Sequence, residues 1–298
     1  MGSILIIGRE DDLCCRLVKD RLEATGKRCL FLPENELFPG LTFHWELDKG
    51  KARGALGYAP LSEAIPFGQF DGVLARFSGI TTSAEGHQTK DGQYLNAEWH
   101  ALARGYMQSL DCPVVNRLRP ELWYKMRLTV PDLLALVPDI RFRLPRTMVT
   151  TRVADAREFY SMSPHGMEYS PLSMPSRYPI RDSAELNKLE PLSGYLPLCL
   201  TEIIPGESLR AFVVGGQVVF DGPEESGHRQ AAEACLDAAG TLGLSFCAFE
   251  LRRPPDGGWY CLGMECMPDL FAALPETRAA VVENLLIALG AGAARRAA

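Results

Sequence analysis

The stretch from Pro197 to Leu274 constrains this chain more than any other. It runs through a strand pattern (PLCLTEII), a Pro205-Gly206 turn and a hairpin pattern (LRAFVVGGQVVFDG). A helical run (HRQAAEACLDAAGTLGL) and two further strand patterns (FCAFELRR and GWYCLGMEC) follow. Short runs rich in β-branched and aromatic residues, bounded by glycine and proline, read as strands. Arg210 falls where the hairpin begins, Glu250 in the first closing strand, and Glu265 just past the second. Where strand ends converge on a cleft, acidic and basic side chains can meet a charged ligand.

The N-terminal part has a different pattern. SILIIG (Ser3–Gly8) is a compact apolar run, residues 12–25 are apolar at helical spacing up to Gly26, and RCLFLP is again strand-like. Strand, helix and strand at this spacing form a βαβ unit, which implies a parallel sheet. The turn Gly8-Arg9-Glu10 carries no GxGxxG, which argues against a dinucleotide site. FDGVLARF reads as another buried strand ending near Arg76, YLNAEWHALARGYMQSL as a helix, and PVVN as a short strand closing a first domain near residue 116. Beyond it, residues 122–136 read as one helix carrying Lys125 and Arg127, softly broken at Pro131. Residues 142–150 read as extended, residues 154–160 open another helix, and residues 161–181 read as a strand followed by a loop. Residues 277–289 form the last helix.

Composition narrows the classes of function. A formal charge of −6 argues against a general nucleic-acid binder. No apolar run approaches the roughly 20 residues that span a bilayer, and SILIIG runs straight into charge, unlike a signal peptide. A cytoplasmic protein without membrane partners is expected. The nine cysteines suit that compartment; their spacing matches no zinc pattern, so Cys247, Cys261 and Cys266 read as buried thiols.

In this order, several segments are similar to a known series: NAEWHALARGYMQSLDCPVVNR, YKMRL, LPRTMVTT, EYSPLS, EIIPGESLRAFVVGGQVV and WYCLGMECMP. The chain resembles the ATP-grasp superfamily, most closely the RimK-type glutamate ligases and the microviridin-type (graspetide) peptide ligases. The resemblance implies an α/β protein with an open parallel-sheet N-terminal domain (1–116) and two α+β lobes (117–190 and 191–298), with ATP between the lobes. It also implies an ATP-dependent carboxylate–amine ligase acting on a peptide or protein through an acyl phosphate. On matching positions, Lys125 would bind nucleotide, Glu202 and Ile204 would flank the adenine edge, and Arg210 would contact phosphate. Glu250 and Glu265 would carry Mg²⁺. A partner ligase and a homodimer are both compatible with such proteins.

Three departures accompany the resemblance. Ser170 stands where the family has a second lysine, and SMPSRYP offers no glycine-rich phosphate loop. The family's closing Glu-x-Asn also aligns poorly: one register sets Gly263 at the Glu and Glu265 at the Asn, the other sets Met267 at the Asn. The alternative function is therefore a degenerate, non-catalytic ATP-grasp protein that binds a peptide or partner.

Overall fold

The computed structural model describes residues 3–34, 41–49, 51–58, 64–76, 90–123, 125–172, 176–192, 194–223, 228–255 and 257–291. The βαβ unit forms as expected. Strand β1 (Ser3–Gly8) leads through α1 (Leu13–Ala24) to β2 (Cys29–Pro33), parallel to β1. Asp12 caps α1 by accepting from the Cys15 N–H, and the helix buries Cys14, Cys15, Val18 and Leu22. An antiparallel hairpin forms next: β3 (Leu41–Asp48), β4 (Lys51–Tyr58) and a short β5 (Ile65–Pro66). Strand β6 (Phe70–Arg76) joins β1 in parallel, and α2 (Lys90–Ser109) leads to β7 (Val114–Val115). The sheet order is β2-β1-β6-β7.

Residues 122–136 do not form one helix. Strand β8 (Arg127–Leu128) comes first, and α3 (Val130–Leu136) starts after it. Pro131 lies in the first turn of α3, where its missing N–H costs nothing, so it starts the helix instead of breaking it. Thr129 and Asp132 close the capping box. Lys125 is consequently not on a helix.

The middle of the chain builds a second sheet. Its elements are β9 (Thr147–Thr150), α4 (Val153–Ser161), β10 (Met167–Ser170), β11 (Tyr178–Ile180), α5 (Ser183–Asn187) and β12 (Leu198–Glu202). The order is β11-β10-β12-β9, all antiparallel. The expected loop after β10 therefore contains a further strand. The closing stretch gives β13 (Glu207–Val214), β14 (Gln217–Phe220), α6 (His228–Leu242), β15 (Phe246–Arg253), β16 (Tyr260–Glu265) and α7 (Pro275–Ala288). With β8 they form an antiparallel sheet, β14-β13-β15-β16-β8. Glu265 is the last residue of β16, not a residue beyond it.

This sheet is buried on both faces, as period-two alternation directs. Ala211, Val213, Cys247 and Phe249 pack against α6, while Phe212, Val214, Phe246 and Ala248 pack against α7. Val282, Leu285 and Leu289 share that second core with Ile4, Ile6 and Leu74 of the N-terminal sheet. The last helix thus joins the first and last parts of the chain. Its C-terminus docks so closely on β6 that a Cβ at Gly72 would overlap the Leu289 carbonyl. Gly72→Ala is expected to cost about 1–3 kcal/mol through overpacking against backbone. Thermal unfolding checks this, and an unchanged midpoint would refute the close docking. Among the described residues no helix is long and apolar enough to cross a membrane.

Candidate functional site

A cleft lies between the central sheet and the closing sheet. Its central wall comes from Glu168 and Ser170 of β10 and from Cys199, Thr201 and Glu202 of β12, continuing through Ile203 and Ile204. Its opposite wall comes from Arg127, Thr129, Arg252 and Leu262, and Arg177 lies between the walls. Glu202 and Ile204 both line this cleft, and the Glu202 carboxylate accepts from the Arg146 N–H (2.7 Å). The N–H groups of Glu202 and Ile203 donate to the Arg146 and Gly166 carbonyls.

Strand register decides which other side chains meet. Arg210 pairs with Glu250, and Glu250 pairs with Gly263. One step along, Phe212, Ala248, Glu265 and Arg127 form the next row. Because residues two apart share a face, Arg210, Glu250, Gly263, Glu265 and Arg127 all occupy one face of the sheet. Arg210 reaches Glu265 (Nη2 to Oε2, 2.6 Å), with its guanidinium over the Phe212 ring.

Glu250 is gripped by two arginines. Arg177 donates to both its oxygens at 3.0 Å, and Arg127 donates to Oε2. Arg177 also donates to the Leu262 carbonyl (2.8 Å) and lies 3.8 Å from the Glu168 carboxylate, so it joins the two walls. Burial pushes its guanidinium pKa down against the pull of Glu250. The structure brings Arg177 into the cleft, while Lys188 serves as the C-cap of α5. The neighbouring residues 173–175, part of the segment read as lacking a phosphate loop, lie outside the described residues.

Lys125 stands apart from this group, bonded to Asp132 (2.6 Å) beside the capping box of α3. Burial opposes ionisation of Asp132, but Lys125 and Thr129 hold its carboxyl below the usual range. On the far side, Arg252 donates to the Gly206 carbonyl (3.2 Å), and its buried Nε has no partner among the described residues. The cysteines behave as buried thiols. Cys247, Cys261 and Cys266 sit together in the core, and burial pushes Cys261 and Cys266 up to about 12. They are protonated near neutral pH and so are poor nucleophiles or metal ligands.

The carboxylates do not fit Mg²⁺ as arranged. That ion needs oxygen donors free to turn toward it, and both Glu250 and Glu265 face guanidinium groups instead. No cluster of three or more His, Cys, Asp or Glu residues suited to a metal occurs among the described residues.

No protein-family model and no curated protein sequence matches the chain. Solved structures do. The macrocyclase MdnC from Microcystis aeruginosa MRC, bound with precursor peptide MdnA, is 17% identical with a TM-score of 0.75, over 96% of this chain and 99% of that one. The ATP-grasp ligase PsnB, complexed with a phosphomimetic variant of its minimal precursor, Mg and ADP, is 22% identical. Its TM-score is 0.73 over 98% of each chain. A RimK domain ATP-grasp protein from Sphaerobacter thermophilus DSM 20745 gives 15% identity and a TM-score of 0.59, over 96% of this chain and 98% of that one. With an open parallel sheet, two further sheets facing each other across a cleft, and this likeness along nearly the whole length, the chain has the ATP-grasp fold.

Proposed function

We propose that this chain binds a peptide on an ATP-grasp scaffold without catalysing ligation. The carrying observation is Arg177, which spans the cleft and ties both walls together through Glu250, Leu262 and Glu168. The cleft retains a volume of about 40 Å³. A pocket for a drug-sized ligand commonly measures about 300–1,000 Å³. A nucleotide would have to break a bidentate ion pair, among the stronger polar contacts in proteins, before it entered. The peptide-bound states of MdnC and PsnB support a peptide as the ligand class. The unpartnered Arg252 Nε favours an acidic one. A partner ligase would then supply any chemistry.

The second reading is the ligase itself. It is favoured by Glu202 and Ile204 lining the same cleft as Arg127, Arg177 and Arg252. In that reading Arg210 acts on phosphate, Lys125 binds nucleotide, and Glu250 and Glu265 turn from their arginines to Mg²⁺.

Titration with Mg-ATP, followed by unfolding temperature and phosphate release in the presence of Asp/Glu-rich peptides, separates the two. The binding reading expects no rise in unfolding temperature with Mg-ATP, no phosphate release, and saturable peptide binding by fluorescence anisotropy. Phosphate release that requires both peptide and Mg-ATP would establish the ligase instead.

A further inference from the structure

Gly263 sits in the middle of β16, yet its backbone gives no reason for a glycine, because it is absent from the positive-φ positions. Glycine inside a strand commonly marks the close approach of another group. Two groups approach: the Leu128 carbonyl and the Arg127 guanidinium. A Cβ at residue 263 would lie 3.2 Å from Arg127 Nη2, 3.3 Å from its Nε and 3.1 Å from the Leu128 carbonyl. A side chain at 263 would therefore press on Arg127 and on the Leu128 carbonyl, each of which would have to give by a few tenths of an ångström.

The same guanidinium closes on Glu250, whose strand neighbour is Gly263, and its residue pairs across the strands with Glu265. Two carboxylates on one sheet face repel unless a cation lies near them. Here the chain supplies guanidinium groups instead: Arg127 and Arg177 at Glu250, and Arg210 at Glu265. Arg127 is largely buried, with 17% of its side chain exposed, and β8 fixes its backbone against β16. An arginine held this way competes with any dissolved ion without a loss of translational freedom on binding.

We infer that Arg127 and Gly263 together are a built-in replacement for a divalent cation: the guanidinium occupies the carboxylate face, and the glycine makes room for it. The pair hides a latent metal site. Removing the arginine and restoring a carboxylate at 263 would set Glu250, Glu265 and the new side chain on one face, with the oxygen donors a hard ion takes. This rests on the non-catalytic reading and extends it. The measurement uses Mn²⁺ alone and involves no peptide, so either idea can fail without the other.

The test is a Mn²⁺ titration followed by electron paramagnetic resonance of the free ion. The wild-type chain is expected to take up no saturable Mn²⁺ below roughly 1 mM, within the range of weak protein sites for hard ions. Arg127→Ala combined with Gly263→Glu is expected to bind one equivalent at least ten-fold more tightly than the wild type, and a further Glu250→Gln to abolish that binding. Should the double variant not fold, Arg127→Met alone is expected to show the same direction of change. Saturable Mn²⁺ binding by the wild type that Glu250→Gln removes would overturn the inference. So would a folded variant lacking Arg127 whose Mn²⁺ affinity equals that of the wild type.

Discussion

Replacing Asn116 by leucine is expected to destabilise the fold by about 4 kcal/mol, measured as loss of unfolding free energy in denaturant. Asn116 is buried at the end of the N-terminal sheet, and its amide ties that end to the closing sheet. The side-chain oxygen accepts from the N–H groups of Ser245 (3.0 Å) and Phe246 (2.8 Å) and from the Ser245 hydroxyl (3.2 Å). The amide nitrogen donates to the carbonyls of Phe246 and Cys266. Leucine supplies none of these bonds. Each buried group left unsatisfied costs about 1–3 kcal/mol, and two backbone donors lose their acceptor at once. A loss under about 1 kcal/mol would show that other groups satisfy these positions. The site depends on this tie, since Phe246 opens β15, the strand that carries Glu250.

Asp12→Ala is expected to cost about 3–5 kcal/mol, because it strands a buried charge. Arg76 donates from Nε (2.9 Å) and Nη2 (2.8 Å) to Asp12, with only 6% of its side chain exposed. Nη2 also donates to the Pro268 carbonyl (2.9 Å), so the guanidinium joins β6, the start of α1 and the segment after β16. Alanine also removes the helix cap at Asp12, worth about 1 kcal/mol. The double change Arg76→Met with Asp12→Leu is expected to recover most of the loss, since replacing both charges removes the unpaired one. Denaturant unfolding of Asp12→Leu, Arg76→Met and the double variant forms the cycle. A double variant as unstable as Asp12→Ala would show that shape, not charge, holds this joint. Arg76, at the C-terminal end of β6, is thus a structural joint.

Much of the architecture was legible because it is local. The apolar period, the Gly26 stop and the spacing of SILIIG and RCLFLP specify the βαβ unit before any contact is considered. Pro205-Gly206 and Gly215-Gly216 mark turns that the chain then makes, with φ of 119° at Gly206 and 55° and 81° at the glycine pair. Residues 122–136 were misread because an apolar run containing proline looks like a helix with a break. Only pairing with β16 turns Arg127–Leu128 into a strand.

By itself the sequence determined most of the series of elements, the place of Arg210, Glu250 and Glu265 on the closing strands, and the losses at Ser170 and Gly263. Tertiary structure alone decided who holds those carboxylates. Arg127 reaches Glu250 across 123 residues of chain, and Arg177 reaches it across 73. Partner choice between charges so far apart depends on which strands become neighbours and which side chains leave room, as Gly263 does for Arg127. Spacing along the chain carries no record of either, because Coulomb attraction acts on distance in space.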